Sequence, residues 1–433
     1  MAANPNTISA GIQETWDKVY QVTHHKVPVY PAISNFRLAA GLKKGDTVHR
    51  QYRNTLIAKN MGDDGGYSRQ ALVDTDETLT ISYVKEASFY IKELDEIQNH
   101  LPTRSKHAFD ASVAIFNQID ADVLGSYDQF TRNIDEGDFA GTDGLGITAD
   151  TSNVRRVFAK AKKQLQRSNL AIQNLTGRFT GFRNEDSKQG RLVAVLSPDF
   201  YEILLESLDG KDTALGDNVG INGHQGRYYG YDIFVSNAVG WSGELYLPTN
   251  PTSGDTLTIG AAVFTFLDSS FDDSSSAVGS VRIGTTVDDT RANLAAAINA
   301  PITAILESST AGFRAFAEDS DAHKALLNVT ATNSNSADTL TLKALGYGFV
   351  EVAEGLTAGA NVWTAGKEIQ HLLFGVAGAI DVVIQKTPSM KVKDRDGKVG
   401  VDVVTWAAYG IKVFNEGKPT MVDVRIRTES YTG

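Results

Sequence analysis

Few residues in this 433-residue sequence have the types and spacing that catalysis or metal binding requires. The chain has no cysteine, which excludes disulfides, thiolate catalysis, zinc ribbons and iron–sulfur clusters. A glycine-rich run with Gly141, Gly144 and Gly146 could cradle a phosphate, but no strand leads into it and no helix follows at once. The adjacent His24 and His25 would face opposite sides of an extended segment, so they form a poor metal site.

Two acidic loops are the remaining candidates for cation binding. The loop from Asp394 resembles the opening of a calcium loop, but it has no glutamate at the twelfth position, and a hairpin turn at Asp396-Gly397 accounts for its glycine. The run Asp268 to Ser276 is typical of a solvated acidic loop. The common phosphate-binding, metalloprotease and hydrolase motifs are missing from the sequence. We therefore expect no catalytic, cofactor-binding or metal-binding residue.

Composition sets the class of protein. With 42% hydrophobic and 21% charged residues, the chain is typical of a globular protein, and no apolar run approaches the roughly 20 residues of a membrane span. No secretory signal is visible, so we expect a cytosolic protein with no membrane partner. Its length predicts at least two folding units. The net charge of −11 argues against a main function in gripping nucleic acid.

The first hundred residues contain extended segments with little core of their own. Helical spacing over Ile12 to Val22 is followed by Val27 to Pro31, where two prolines favour extended chain. Period-two strands at Thr47 to Arg53 and Thr78 to Val84 flank a glycine-rich stretch, which predicts a long hairpin with a flexible tip. We expect these segments to lie across another surface.

Two amphipathic helices and a buried strand follow. A helix from Thr103 to about Thr131 should bury one apolar stripe, namely Phe109, Val113, Phe116, Ile119, Val123, Tyr127 and Phe130. A second helix begins at Val154 and should turn Val154, Val157, Phe158, Ala161 and Leu165 inward and a basic face outward. That face could contact nucleic acid, but a solvated face is commoner, and no aromatic residue interleaves with the charges. A buried strand at Arg191 to Leu196 leads through Ser197-Pro198 into a helix over Asp199 to Leu208.

The composition changes between residues 243 and 365. This part carries 14 acidic and 5 basic residues, a net charge of −9, so the rest of the chain has only −2. It predicts a self-contained module with strands at Thr256 to Leu267, Asn328 to Thr332 and Thr339 to Lys343, and a helix at Val287 to Asn299. After it we expect a helix at Lys367 to Ala379 and strands at Asp381 to Gln385, Met390 to Lys393, Gly400 to Trp406 and Gly410 to Phe414. The pattern is that of a discontinuous domain with an insertion.

Three segments in this order resemble one family. They are Arg191-Leu-Val-Ala-Val-Leu-Ser-Pro-Asp-Phe-Tyr, then Gly226-Arg-Tyr-Tyr-Gly-Tyr-Asp-Ile-Phe-Val-Ser-Asn, then Gly410-Ile-Lys-Val-Phe after His371-Leu-Leu-Phe-Gly. The succession resembles the major capsid (coat) proteins of tailed double-stranded DNA bacteriophages, which have the α+β Hong Kong 97-type fold, and in particular the branch with an inserted domain. The insertion itself resembles a small α+β module of phage structural proteins, through Gly254-Asp-Thr-Leu-Thr-Ile, Phe264-Thr-Phe and Ala292-Asn-Leu-Ala-Ala-Ala-Ile-Asn.

The resemblance implies a division of the chain. It assigns an N-terminal arm (1–46), an extended loop hairpin that lies over a neighbouring subunit (47–92), a peripheral domain with a spine helix (93–149), an axial domain (150–242), the inserted domain (243–365), and returns to the axial (366–380) and peripheral (381–433) domains. Candidate contacts between subunits are Trp16, Tyr30, Asp63, Asp64, Arg69, Arg395 and Lys398. Covalent cross-linking of the shell is not expected, because the hairpin tip, residues 60–72, contains no lysine.

The resemblance also implies partners and a location. The chain would assemble with itself as hexamers and pentamers of an icosahedral shell, contact a portal protein and enclose double-stranded DNA non-specifically. Because the sequence begins at Met1, we expect a separate scaffolding protein. A decoration protein is a further possible partner. The place would be the virion capsid, after assembly in the bacterial cytoplasm, with the acidic insertion on the outer face. The alternatives are a phage tail or adhesion protein, an encapsulin-like compartment shell, and an enzyme of unrecognised type.

Overall fold

The computed structural model describes residues 26–36, 38, 46–53, 56–61, 69–94, 103–167, 191–208, 226–268, 271, 276–300, 312–317, 320–346, 349–357, 360–394, 397 and 399–428. The helices are α1 (Tyr30–Ile33), α2 (Thr103–Leu124), α3 (Val154–Arg167), α4 (Pro198–Leu208), α5 (Val287–Asn299) and α6 (Asp321–Leu326). The strands are β1 (Ser34–Asn35), β2 (Thr47–Arg53), β3 (Asp74–Thr80), β4 (Tyr83–Lys92), β5 (Asn133–Ile134), β6 (Leu192–Leu196), β7 (Arg227–Tyr228), β8 (Tyr231–Val235), β9 (Gly240–Tyr246), β10 (Thr256–Ile259), β11 (Ala262–Leu267), β12 (Ser280–Arg282), β13 (Val329–Ser334), β14 (Thr339–Ala344), β15 (Val352–Gly355), β16 (Val362–Trp363), β17 (Ile369–Val376), β18 (Ile380–Asp394), β19 (Gly400–Lys412) and β20 (Met421–Arg427).

The chain divides into two compact units, each assembled from separate segments. One unit consists of residues 1–27, 83–117 and 386–408. Its described part holds β4, the first two thirds of α2 and the ends of β18 and β19 that meet at the turn around Gly397. Within it the Tyr90 hydroxyl donates to the Val399 carbonyl over 2.9 Å, and Phe89 meets His107 edge to face.

The other unit consists of residues 28–82, 118–385 and 409–433 and contains the main sheet. Its described strands run in the order β13-β14-β9-β17-β6-β8-β7, with β20 also on β17, β5 on β20 and β16 on β9. One edge of β17 carries β20, and its other edge is shared between β9 and β6. This central position explains why β17 is buried along nearly its whole length.

The predicted helix over Lys367 to Ala379 is wrong, since this segment forms β17. Its apolar run is continuous, and a short continuous run fits either a buried helix or a strand buried on both faces. The four strands predicted between Asp381 and Phe414 are two long strands, β18 and β19. Their turn contains Gly397 at φ 73°, which agrees with the predicted hairpin.

Helix α3 and its surroundings match their predictions. All five residues expected to face inward are buried. Phe158 lies at the centre of an aromatic cluster, with ring centroids 5.1 Å from Tyr228 and 5.0 Å from Phe374. The strand and helix that follow are confirmed as β6 and α4, and the Ser197 hydroxyl accepts a hydrogen bond from the Phe200 amide at the start of α4. Burial of this cluster fixes α3 on the sheet.

The predicted spine helix is shorter than expected. It ends at Leu124 and continues as a 3-10 segment, Gly125–Gln129. Ile119, Val123 and Tyr127 are buried as predicted, but Phe109 is 58% exposed and does not belong to the core. The segment Val27 to Pro31 also differs from its prediction, because the short helix α1 begins at Tyr30 with Pro31 in its first turn, where a missing amide costs nothing.

The acidic insertion contains its predicted helix, α5, with the predicted bounds. Thr286 and Asp289 form a capping box at its first turn. The strand expected over Thr256 to Leu267 is a hairpin, β10 and β11, turned at Gly260 with φ 56°. Strand β14 pairs with β9, so the hairpin of β13 and β14 extends the main sheet. The helix predicted at Ile12 to Val22 lies outside the described residues.

Candidate functional site

The hairpin of β2 and β3 is fixed at its base by apolar burial. The two strands pair in register from Thr47 opposite Thr80 to Arg53 opposite Asp74. Leu79 is fully buried and packs with Val383 and Phe414. These contacts attach one end of the hairpin to the rest of the unit that contains the main sheet.

Polar contacts reinforce the same base. Arg50 forms an ion pair with Glu416, lies 3.6 Å from the Asp381 carboxylate and places its guanidinium 5.0 Å from the centre of the Phe414 ring. Lys412 donates to the Thr78 carbonyl over 2.5 Å. The base of the hairpin is therefore held by both burial and charge.

The distal part of the hairpin exposes a series of apolar side chains. Ile57 is 70% exposed and Leu72 is 77% exposed. The exposed apolar residues of this distal surface are Leu56, Ile57, Met61, Leu72 and Val73. Gln70 joins the two sides through its carboxamide, which accepts from the Ile57 amide over 3.0 Å and donates to the Ile57 carbonyl. A concentrated apolar surface of this kind indicates a protein-binding region.

The other compact unit also leaves apolar side chains in solvent. Val84 lies on β4, Phe109 on α2, and Met390 and Val392 on β18, and all four are exposed. The distal end of β18 is exposed from Met390 to Asp394. Among its described residues this unit buries few large side chains, which indicates that its strands gain burial from another molecule.

The structure places two of the seven predicted contact residues. Arg69 is exposed beside the distal hairpin surface. Tyr30 is buried within its own chain, with its ring edge to face against Phe36. Five residues lie outside the described part of the chain: Trp16, Asp63, Asp64, Arg395 and Lys398. A contact role for each of the seven stays a prediction.

Tyr30 belongs to an anchor for the amino-terminal segment. The amides of Val29 and Tyr30 both donate to one carboxylate oxygen of Asp120 over 2.8 Å. Burial raises the pKa of the Tyr30 phenol, and the charge of Asp120 raises it further. Asp120 is fully buried on α2, so the anchor ties the segment before β1 to that helix.

A serine, a histidine and an aspartate meet on three neighbouring strands, and the sequence motifs gave no sign of it. His371 on β17 places Nε2 2.8 Å from the Ser242 hydroxyl on β9 and Nδ1 2.9 Å from the Asp423 carboxylate on β20. Arg425 donates to the same carboxylate over 3.0 Å. His371 and Asp423 are buried. The one available signal was the three polar residues of Glu368-Ile-Gln-His beside an apolar run.

This arrangement has the composition of a hydrolase triad but the setting of a structural network. Ser242 sits in the middle of β9, paired with Lys343 of β14 on one side and Ile369 of β17 on the other. Backbone amides in a paired sheet are already bonded, so they cannot form an oxyanion hole. Tyr127 stacks on the imidazole and covers it. The network satisfies polar groups in the sheet.

The backbone amides of the glycine-rich loop bind the carboxylate of Asp135. The Asp135 carboxylate accepts from the Gly137 amide over 3.1 Å and from the Gly144 amide over 3.0 Å. The amides that could have held a phosphate therefore bind a side chain. Among the described residues, no group of three or more histidine, aspartate or glutamate side chains is arranged to hold a metal ion. In that same part of the chain, no helix is both long and apolar enough to cross a membrane.

Solved phage structures share this architecture over nearly the whole chain. A structure from Mycobacterium phage Che8 aligns with a TM-score of 0.53 and 12% identity, covering 97% of this chain and 98% of its own. The capsid structure of cyanophage P-SCSP1u aligns with a TM-score of 0.52 and 11% identity, covering 98% and 96%. No protein-family model matches the sequence, and no curated protein matches it significantly. The comparison confirms the predicted α+β fold of the Hong Kong 97 type.

Proposed function

We propose that the chain is a major capsid protein that assembles in many copies into the icosahedral shell around a phage genome. The observation that carries the proposal is the alignment with a cyanophage capsid structure from end to end, since 98% of this chain and 96% of the other are covered. Agreement over the full length includes the extended parts as well as the sheet. A shell protein needs those parts, because a thin subunit obtains much of its burial from its neighbours.

The hairpin and the unit that contains β4 supply the surfaces for this assembly. The base of the hairpin is fixed through Leu79 and Arg50, while its distal apolar surface lacks burial within the described chain. Seating that surface on a second copy removes it from water, and obligate interfaces of this type exceed about 2,000 Å². Closed symmetry then repeats the same contact in every hexamer and pentamer.

Further partners follow from the same proposal. A shell that packages DNA requires a portal, and a separate scaffolding protein would set its size. The acidic insertion, with a net charge of −9, would stand on the outer face, where like charge keeps particles apart and can meet a basic decoration protein. The complete particle would form in the host cytoplasm.

The test is electron microscopy of the overexpressed full chain, alone and with a candidate scaffolding protein. Closed shells or rings of five and six subunits are the expected result. Monodisperse monomers under all conditions would contradict the proposal. Labelling of the insertion in intact shells tests its placement, because only an outward insertion reacts with a reagent that cannot enter the particle.

A further inference from the structure

Helix α3 carries a line of cations along its solvent side. It contains six basic residues and no acidic one within Val154–Arg167. Arg156, Lys160, Lys163 and Arg167 follow one another at intervals of four, three and four residues, so they lie on one stripe. At 1.5 Å per residue the stripe is about 16 Å long. Arg156, Lys163 and Arg167 are exposed, and Lys160 is half-buried.

An aromatic ring holds the first half of this stripe in place. Phe139, in the 3-10 segment Glu136–Phe139, lies 5.2 Å from the Arg156 guanidinium and 4.6 Å from the Lys160 ammonium, measured to the ring centre. Lys160 also donates to the Asp138 carbonyl and lies 4.0 Å from its carboxylate. Among the described residues, Asp138 is the acidic side chain in an ion pair with the stripe. Arg156 and Lys160 are therefore ordered before any partner arrives, and most of the charge of the stripe stays available.

The remaining basic residues of α3 serve the fold, which separates them from the stripe. Arg155 donates to the Ser207 carbonyl at the end of α4 over 2.6 Å, and Lys162 donates to the Tyr229 carbonyl over 3.2 Å. Both are half-buried. The opposite face of α3 is fixed on the sheet by five buried residues. The stripe is thus a rigid surface whose exposed cations are not needed for packing.

We infer that this stripe binds the phosphate backbone of duplex DNA without regard to sequence. A straight row of cations on a rigid helix matches a linear polyanion, and B-form DNA offers one negative charge per about 1.7 Å of axis. Contacts from such a row to phosphates fix the protein on the duplex and carry no sequence information. The net charge of −11 does not oppose this locally, since −9 of it belongs to residues 243–365. The identification of the duplex as a packaged genome rests on the proposed function. The binding of phosphates by the stripe does not depend on it.

The test is the salt dependence of binding to a fluorescent 24-base-pair duplex of random sequence. The full-length protein is compared with K163Q/R167Q and with the matched control K391Q/K393Q, which removes two exposed lysines from β18. Each lost phosphate contact lowers the slope of log affinity against log salt by about 0.9. We expect a slope smaller by about 2 for K163Q/R167Q, so that between 50 and 200 mM salt the parent loses about tenfold more affinity than this variant. R156Q provides a second variant, with a slope smaller by about 1.

Three results would overturn the inference: an unchanged slope in K163Q/R167Q and R156Q, an equal loss in K391Q/K393Q, or tighter binding of poly-glutamate than of the duplex at equal charge, which would favour an acidic polypeptide as the partner. Microscopy of the same preparations separates this inference from the proposed function. If the protein forms shells but the salt slope of K163Q/R167Q equals that of the parent, only the DNA-binding role of the stripe is refuted. A reduced slope in a protein that never forms shells refutes the capsid proposal alone.

Discussion

Tyr127 lies face to face with His371, with ring planes 7° apart and centroids 3.6 Å apart. The stack closes one side of the imidazole, while Ser242 and Asp423 occupy its two nitrogens. Burial raises the pKa of the Tyr127 phenol, and the nearby Asp423 and Asp128 raise it further. The phenol therefore stays neutral and acts here as an aromatic cover for a buried polar network.

Removing the imidazole should destabilise the fold strongly. His371→Ala leaves the buried Asp423 carboxylate without one of its donors and opens a cavity beneath Tyr127, so we expect a loss of about 2–4 kcal/mol in the free energy of unfolding. Urea unfolding of the full chain measures it. Ser242→Ala is the control: its hydroxyl is half-buried, and the loss should be about 1 kcal/mol or less. Equal losses in both variants would contradict a network centred on His371.

Ser242 should not behave as a nucleophile, although its hydroxyl lies 2.8 Å from an imidazole. The position within a paired sheet leaves no amides for an oxyanion, and Tyr127 covers the histidine. A fluorophosphonate probe should therefore leave the protein unlabelled under conditions that label a serine hydrolase in the same tube. Labelling that disappears in Ser242→Ala would show that the network is catalytic.

Strand β17 could not be predicted from the sequence, whereas helix α3 could. The amphipathic helix α3 was predictable because one apolar face produces a 3.6-residue period. Strand β17 has neighbours on both edges and burial on both faces, so its sequence carries no period and was misread as a helix. The His371 network arises only when β9, β17 and β20 come together, and no local pattern encodes a contact between residues 129 positions apart.

The hairpin of β2 and β3 also differs from its prediction. Alternation predicted both strands, but β3 runs from Asp74 to Thr80 where Thr78 to Val84 was expected, and Tyr83 and Val84 belong to β4. The apolar residues beyond the two strands can be read from the sequence. Whether they are exposed depends on which other parts of the subunit pack against them. That surface could be located only in the folded subunit.

The base of the hairpin should depend on Leu79. Replacement by alanine removes a fully buried side chain from its contacts with Val383 and Phe414, and we expect a cost of about 2–5 kcal/mol. Thermal unfolding of the unassembled chain measures the loss. Gly410→Ala tests the same junction, since its Cβ would lie 2.6 Å from the Thr80 carbonyl oxygen. If neither variant changed stability, the hairpin would not be anchored there.

The distal hairpin surface should matter for assembly and not for the stability of the subunit. Leu72→Ser changes a side chain that is 77% exposed, so the free energy of unfolding should shift by no more than about 0.5 kcal/mol. Shell yield, followed by light scattering and microscopy, should fall severalfold because the apolar surface no longer gains burial on a second copy. Leu327→Ser, at another exposed leucine, is the matched control and should assemble normally. Equal yields in the two variants would remove the hairpin from the interface.

Glu368 should make the fold less stable as pH rises. Burial raises the pKa of this carboxyl, and the Trp363 indole N–H and the charge of Arg427 only partly offset that effect. The folded protein therefore holds the proton more tightly than the unfolded chain, so stability is highest below the usual pKa of glutamate, about 4.3, and falls as pH rises through the higher folded value.

Glu368→Gln tests this sign directly. The amide oxygen still accepts from Trp363 but carries no charge, so the variant should be at least as stable as the parent at pH 7, and the difference should vanish as pH falls towards 4. Urea unfolding at pH 4, 5.5 and 7 gives the comparison, with Glu351→Gln as a control at an exposed glutamate. A variant that loses the same free energy at every pH would show that Glu368 contributes through its hydrogen bond and not through its titration.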